Sequence, residues 1–321
     1  RYIDRANVTA TLNQGELAVA GDIDAPEGSV TVDLTGRLGD ELAINLGEST
    51  CFSNLNTEAF SKTVPVQTNL SGCLTGTLRG LNELETANGS GVLTLRPSTI
   101  NDAQIENGRV RFELADGALG GTFDVALGDP DDASTVGSLV GAVQARPFDA
   151  SPTYATRGTA TRVDVAALIA RPDDPVLVSL DFSVSGEGTR PETMTLDGRL
   201  SGRGSVVGPV RVDSLALAFA LTEGVIDVDT LTLDSDLATL NGGGTLALFD
   251  PSAASDFSLQ GAVESLEPIN AYTGRFLGLE SGTLDLTASA TEGDPFLRIN
   301  GVMDARELEV ETNAVRGLEA Q

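Results

Sequence analysis

Histidine is absent from the 321 residues, and so is tryptophan. The first absence removes Ser-His-Asp and Cys-His catalysis, HExxH zinc sites and most transition-metal sites. Lysine occurs once, as Lys62 within Phe-Ser-Lys-Thr, so there is no glycine-rich phosphate loop ending in Gly-Lys. Aromatic residues make up only 4%, a poor supply for stacking nucleobases or sugars. Basic residues are few against 47 Asp and Glu, giving a formal net charge of −27. Such a chain repels phosphate backbones and anionic membrane surfaces, which excludes nucleic acid as a partner. No apolar run is long enough to cross a bilayer as a helix.

Hydrophobic residues are nevertheless 40% of the chain. With few aromatics, its apolar surfaces must be built from Val, Leu, Ile and Ala. The two cysteines, Cys51 and Cys73, lie 22 residues apart (73 − 51) and allow a single pairing. A disulfide there requires an oxidising compartment such as the bacterial periplasm; two buried thiols are the alternative.

The dominant local pattern is two-residue alternation, which marks half-buried strands. Val30, Val32 and Leu34 alternate with Thr31, Asp33 and Thr35. Val110, Phe112 and Leu114 alternate with Arg109, Arg111 and Glu113. The pattern returns at Leu215, Leu217, Phe219 and Leu221, and at Leu284 and Leu286. Side chains change face at every residue, so each stretch has one aliphatic face and one polar or small face. Turn signals separate the runs: Asn13-Gln-Gly15, Pro26-Glu-Gly28, Asp116-Gly117, Gly128-Asp-Pro130, Thr222-Glu-Gly224 and Asn241-Gly-Gly-Gly244. The result expected is a long antiparallel meander. Val163–Ile169 and Leu266–Tyr272 lack clean alternation and are expected to form one or two helical turns each. The Pro-Asp-rich stretches at 130–132 and 172–175 read as exposed loops.

The chain repeats itself at intervals of a little over 100 residues. The segment around Gly158 matches that around Gly261 (261 − 158 = 103), and Ser179-Leu-Asp-Phe182 matches Thr283-Leu-Asp-Leu286 (283 − 179 = 104). Gly117 matches Gly224 (224 − 117 = 107), and Gly15 lies about two periods before Gly224. Such a series predicts an all-β, elongated antiparallel repeat array rather than a globule around one pocket. The expected organisation is one continuous body over 1–321, with repeats at 1–46 (partial), 47–157, 158–260 and 261–321 (partial). Both ends cut into a repeat, which leads to the expectation of a piece from a longer protein.

Catalytic and metal chemistry find little footing. The pairs Asp22/Asp24, Asp131/Asp132, Asp173/Asp174, Asp227/Asp229 and Asp234/Asp236 lie in turns or on the polar phase of strands. The full calcium-loop spacing, with its glycine and distal Glu, is missing. Gly202-Arg-Gly204-Ser-Val-Val-Gly208 places its last glycine one residue late for a dinucleotide loop. The chain is therefore read as a non-enzyme, with no metal and no cofactor.

What remains is the aliphatic strip. A closed two-sheet sandwich is the plain explanation for it. A repeat with no natural end and no polar anchors in its apolar phase favours instead a long open surface suited to acyl chains, which need burial rather than orientation. Each CH₂ removed from water contributes about 0.8 kcal/mol. The residues expected to line the strip are Val110, Phe112, Leu114, Leu215, Leu217, Phe219, Leu221, Leu231, Leu233, Leu284 and Leu286, with Tyr154 and Phe257 capping the repeats.

These segments resemble a known family. Pro152-Thr-Tyr154-x3-Gly158 leading into Val163-Asp-Val165-Ala-Ala-Leu168, Leu180-Asp-Phe182-Ser-Val184-Ser-Gly186, Val212-Asp-Ser-Leu215 through Gly224, and Leu240-Asn-Gly-Gly-Gly244 are similar to the β-rich middle of TamB/AsmA-like proteins of Gram-negative bacteria. The resemblance covers about residues 60–310 and does not include the family's C-terminal signature domain. It implies an open, curled β-groove with short helical turns between repeats, in an inner-membrane-anchored periplasmic protein that reaches towards the outer membrane. It further implies phospholipid acyl chains as cargo and an outer-membrane barrel partner of the Omp85 type. Two other functions stay open: a scaffold for assembly and secretion of outer-membrane β-barrels and autotransporters, and a structural stalk or adhesin.

Overall fold

A computed structural model describes residues 3–39, 42–56, 67–128, 136–169, 176–247, 249–250, 253–263, 278–290, 298–310, 313–315 and 318–320, with side chains as far as residue 262. The protein is nearly all β, antiparallel throughout, with helix a minor component. It divides into two compact units, Arg1–Asp173 and Asp174–Gln321. The loops at 130–132 and 172–175 and the turn at 266–272 fall outside the described residues.

The first unit contains β1 (Arg5–Asn13), β2 (Glu16–Ala25), β3 (Gly28–Arg37), β4 (Ala43–Leu46), β5 (Cys51–Leu55), β6 (Thr68–Arg79), β7 (Asn88–Leu95), β8 (Ser98–Ile100), β9 (Ala103–Ala115), β10 (Ala118–Leu127), β11 (Gly137–Arg146) and β12 (Thr153–Asp164). They pair in chain order as a meander. β4 and β5 share one position between β3 and β6, and β7 and β8 share the next, between β6 and β9. The helical turn expected within Val163–Ile169 is present as a single turn, α1 (Val165–Leu168). Asp164 starts it: its carboxylate accepts the Ala167 N–H at 3.2 Å. The Ala167 carbonyl accepts the Asp102 N–H at 3.2 Å, and the Asn101 amide donates to the Leu168 carbonyl. Buried Ala103, Ile105, Ala160, Val163, Ala166 and Ala167 lie on the elements this contact joins.

The second unit contains β13 (Val176–Glu187), β14 (Thr195–Val207), β15 (Val210–Thr222), β16 (Val225–Ser235), β17 (Ala238–Leu246), β18 (Ser255–Val263), β19 (Gly278–Ala290), β20 (Arg298–Val310), β21 (Asn313–Val315) and β22 (Leu318–Ala320). This too is a sequential meander, with β21 and β22 both paired to β20.

The internal repeat is visible in the turns. Gln14-Gly15, Asp116-Gly117 and Glu223-Gly224 each join two strands with both residues at positive φ (49/85°, 48/69° and 48/84°). That mirror-image turn matches the twist of the strands it connects. A second recurrence lies at buried serines. Ser98 and Ser205 are 107 residues apart and only 6% and 8% exposed. Ser98 Oγ accepts the Ser71 N–H at 2.9 Å where the ladder breaks between β7 and β8; Ser205 Oγ accepts the Ser179 N–H at 3.0 Å beside a register shift in β13. Each hydroxyl replaces a ladder bond that the irregularity removes. Ser98→Ala is expected to cost about 1–3 kcal/mol, read as a lower urea midpoint, because it strands the Ser71 N–H without that acceptor.

One turn reading is corrected. Asn241-Gly-Gly-Gly244 lies inside β17, not between strands. The glycines are there for space: a Cβ on Gly242 would press on Leu259 and Phe257, and one on Gly244 would meet the β18 backbone. Likewise Gly202 and Gly204 belong to β14, which runs into a turn rather than a helix.

Candidate functional site

Antiparallel register turns the alternation of single strands into rows that cross the sheet. In the first unit one row runs Val19, Leu34, Leu46, Gly76, Gly91, Phe112, Gly121, Val143. The next row holds Leu78, Gly89, Leu114, Leu119, Ala145 and Tyr154. On the other side lies Leu74, Leu93, Val110, Phe123, Gly141 and Gly158. Val110, Phe112 and Leu114 therefore share one face, as their spacing requires.

The second unit repeats the arrangement. Phe182, Leu200, Leu217, Leu231, Gly242, Leu259 and Leu286 form one row. Leu180, Gly202, Leu215, Leu233, Leu240, Gly261 and Leu284 form its neighbour. Val184, Gly198, Phe219, Val228, Gly244 and Phe257 form a third. A bulge in β16 keeps Val228 and Leu231 on this face although they are three residues apart. Leu284 and Leu286 take the expected register positions; their side chains are outside the described residues. Phe257 stands opposite Gly244, and Tyr154 opposite Ala145.

The rows share a device that strand alternation alone does not reveal. Large side chains sit opposite glycines: Phe112 over Gly91, Phe123 over Gly141, Phe219 over Gly198 and Phe52 over Gly72. In each case a Cβ on the glycine would collide with the ring or touch its edge. The ring lies down on the bare backbone, which covers it and lowers the relief of the face. The signal was present as glycines in the apolar phase, such as Gly89 and Gly91 before Leu93, and Gly198 and Gly202 around Leu200. Gly198→Val is expected to lift the Phe219 ring and cost about 1–3 kcal/mol in a urea melt. Adding Phe219→Ala is expected to recover part of that loss, since the two substitutions compete for one space.

Burial decides what this face is. The aliphatic residues of the rows are mostly half-buried; of the residues expected to line the strip with described side chains, only Leu221 is buried, at 6% exposed. No large side chain among the described residues is fully buried. A closed sandwich core would bury them nearly completely. The opposite face carries Thr, Ser, Asp and Arg. A depression of about 680 Å³ in the first unit is lined by Thr75, Thr77, Ser90, Arg111, Glu113 and Gln144, and also by Gly76, Gly91, Phe112, Gly121 and Val143 of the first aliphatic row.

Several carboxylates of the acidic pairs within the described residues accept hydrogen bonds. Asp22 accepts from the Thr31 hydroxyl (2.8 Å), Asp234 from that of Thr239 (3.3 Å), and Asp236 from the Arg211 N–H (3.0 Å). Among the described residues one ion pair forms, Arg211–Asp213 at 3.1 Å, and it is exposed, so it adds little. Asp131/Asp132 and Asp173/Asp174 lie outside the described residues.

Cys51 and Cys73 are joined as a disulfide across β5 and β6. No helix among the described residues is long and apolar enough to cross a membrane. No protein-family model matches the chain, and no curated protein and no solved structure is significantly similar to it.

Proposed function

We propose that the aliphatic face is a conduit for acyl chains, and that the protein acts as the lipid-conducting part of a TamB/AsmA-like system that moves phospholipid between the two membranes of a Gram-negative envelope. The observation that carries the reading is the half-buried state of rows made of Leu, Val, Phe, Ala and Gly, with Tyr154 at the end of one of them. Open aliphatic surface of this extent is costly in water unless something apolar covers it. Strands stand about 4.8 Å apart, so an extended acyl chain laid along a row would pass over several strands and meet similar CH₂-sized contacts on each. Phenyl rings lying on glycines leave few ridges to hinder sliding. The disulfide agrees with an oxidising compartment such as the periplasm.

Titration with a fluorescent polyene fatty acid tests this. Saturable binding with a blue-shifted, enhanced emission is expected; an emission unchanged from buffer would remove the conduit.

A further inference from the structure

We propose that the Cys51–Cys73 disulfide is a directional thiol-exchange site, attacked at Cys51 and opening with Cys73 as the leaving thiolate. The staple lies on the polar face, in the cross-strand row Thr31, Cys51, Cys73, Thr94, Arg109. Both cysteines are half-buried rather than buried. The two sulfurs have different neighbours. The exposed guanidinium of Arg96 donates from Nη2 to Cys73 Sγ at 3.2 Å. Cys51 Sγ instead lies 3.7 Å from the Glu48 carbonyl oxygen. A negative charge that develops on Cys73 is met by a cation; one on Cys51 is met by a carbonyl dipole of the wrong sign. Exchange is fastest when the departing sulfur is the better stabilised thiolate.

The attacking species is a small thiolate, RS⁻. Its sulfur bonds to Cys51 Sγ, the Cys51–Cys73 bond breaks, and the electron pair leaves on Cys73 Sγ. The products are the mixed disulfide RS–Cys51 and the Cys73 thiolate held by Arg96. A second thiolate then attacks the mixed disulfide at the small-molecule sulfur, releasing RSSR and the Cys51 thiolate. The opened staple reaches the aliphatic face directly. Phe52 follows Cys51 and packs on Gly72, which precedes Cys73. Reduction on one face thus loosens a ring on the other.

The test uses the full chain at neutral pH with glutathione, an acid quench, alkylation of free thiols and tryptic mass spectrometry. Cleavage after Lys62 places the two cysteines on separate peptides. At early times the glutathione adduct is expected on Cys51 and the alkyl label on Cys73, with about a tenfold bias. Arg96→Gln is expected to slow the exchange several-fold and even out the two sites, and Arg96→Lys to keep most of the bias. Equal labelling in the wild-type chain, a bias towards Cys73, no adduct at either cysteine, or an Arg96→Gln variant with unchanged rate and ratio would each overturn the assignment.

Discussion

Leu217→Asp is expected to weaken acyl-chain binding by more than tenfold while lowering stability by only about 1–2 kcal/mol. Leu217 sits mid-row between Leu200 and Leu231 and is half-buried. On an open face the new carboxylate keeps contact with water, so the chain loses little beyond the contacts of one leucine. A fatty acid laid over the same spot must strip that water, and desolvating an ionised group costs several kcal/mol. A closed core gives the reverse outcome: about 3–5 kcal/mol of lost stability from a buried unpaired charge, and no binding to lose. Ser201→Asp is the control. It is exposed and lies opposite Ala216, on the face away from Leu200, so binding and stability should both be unchanged. Fatty-acid titrations and urea melts on the three proteins separate the cases.

Removing the disulfide carries the second large effect. Closing a loop of 22 residues restricts the unfolded chain by an amount worth about 3 kcal/mol. The native side of the balance is short pairing. β5 meets β3 over Ser29–Thr31 only, and its register with β6 shifts between Phe52 and Leu55. Cys51→Ala with Cys73→Ala is therefore expected to lower the stability of the first unit by about 3 kcal/mol, read as a lower urea midpoint, and to raise amide exchange in β5 before β9 or β10. A double variant with the wild-type midpoint would mean that the pairing, not the staple, holds β5.

Much of the fold is legible in the residues because two-residue periodicity is a local property. Val110, Phe112 and Leu114 announce their own strand, and Gln14-Gly15, Asp116-Gly117 and Glu223-Gly224 announce their turns. Cross-strand facts are not local. The pairing of Phe219 with Gly198 depends on register over β14 and β15, so a glycine in a strand reads as a turn until its partner is known; Asn241 to Gly244 is the case in point. The serine bridges follow the same rule. Ser98 and Ser205 share the 107-residue offset of Gly117 and Gly224, a signal available in the sequence, but their purpose appears only where the ladder breaks. Alternation gives the strip its residues and cannot say whether a second layer covers it. That answer comes from burial, residue by residue.

Whether the aliphatic face carries lipid is decided by native mass spectrometry of the chain produced in a Gram-negative periplasm, followed by extraction and lipid identification. A folded protein carrying phospholipid in roughly stoichiometric amount is expected, with the lipid lost from a folded Leu217→Asp variant. A folded wild-type chain that holds no lipid, even after incubation with liposomes, would contradict it.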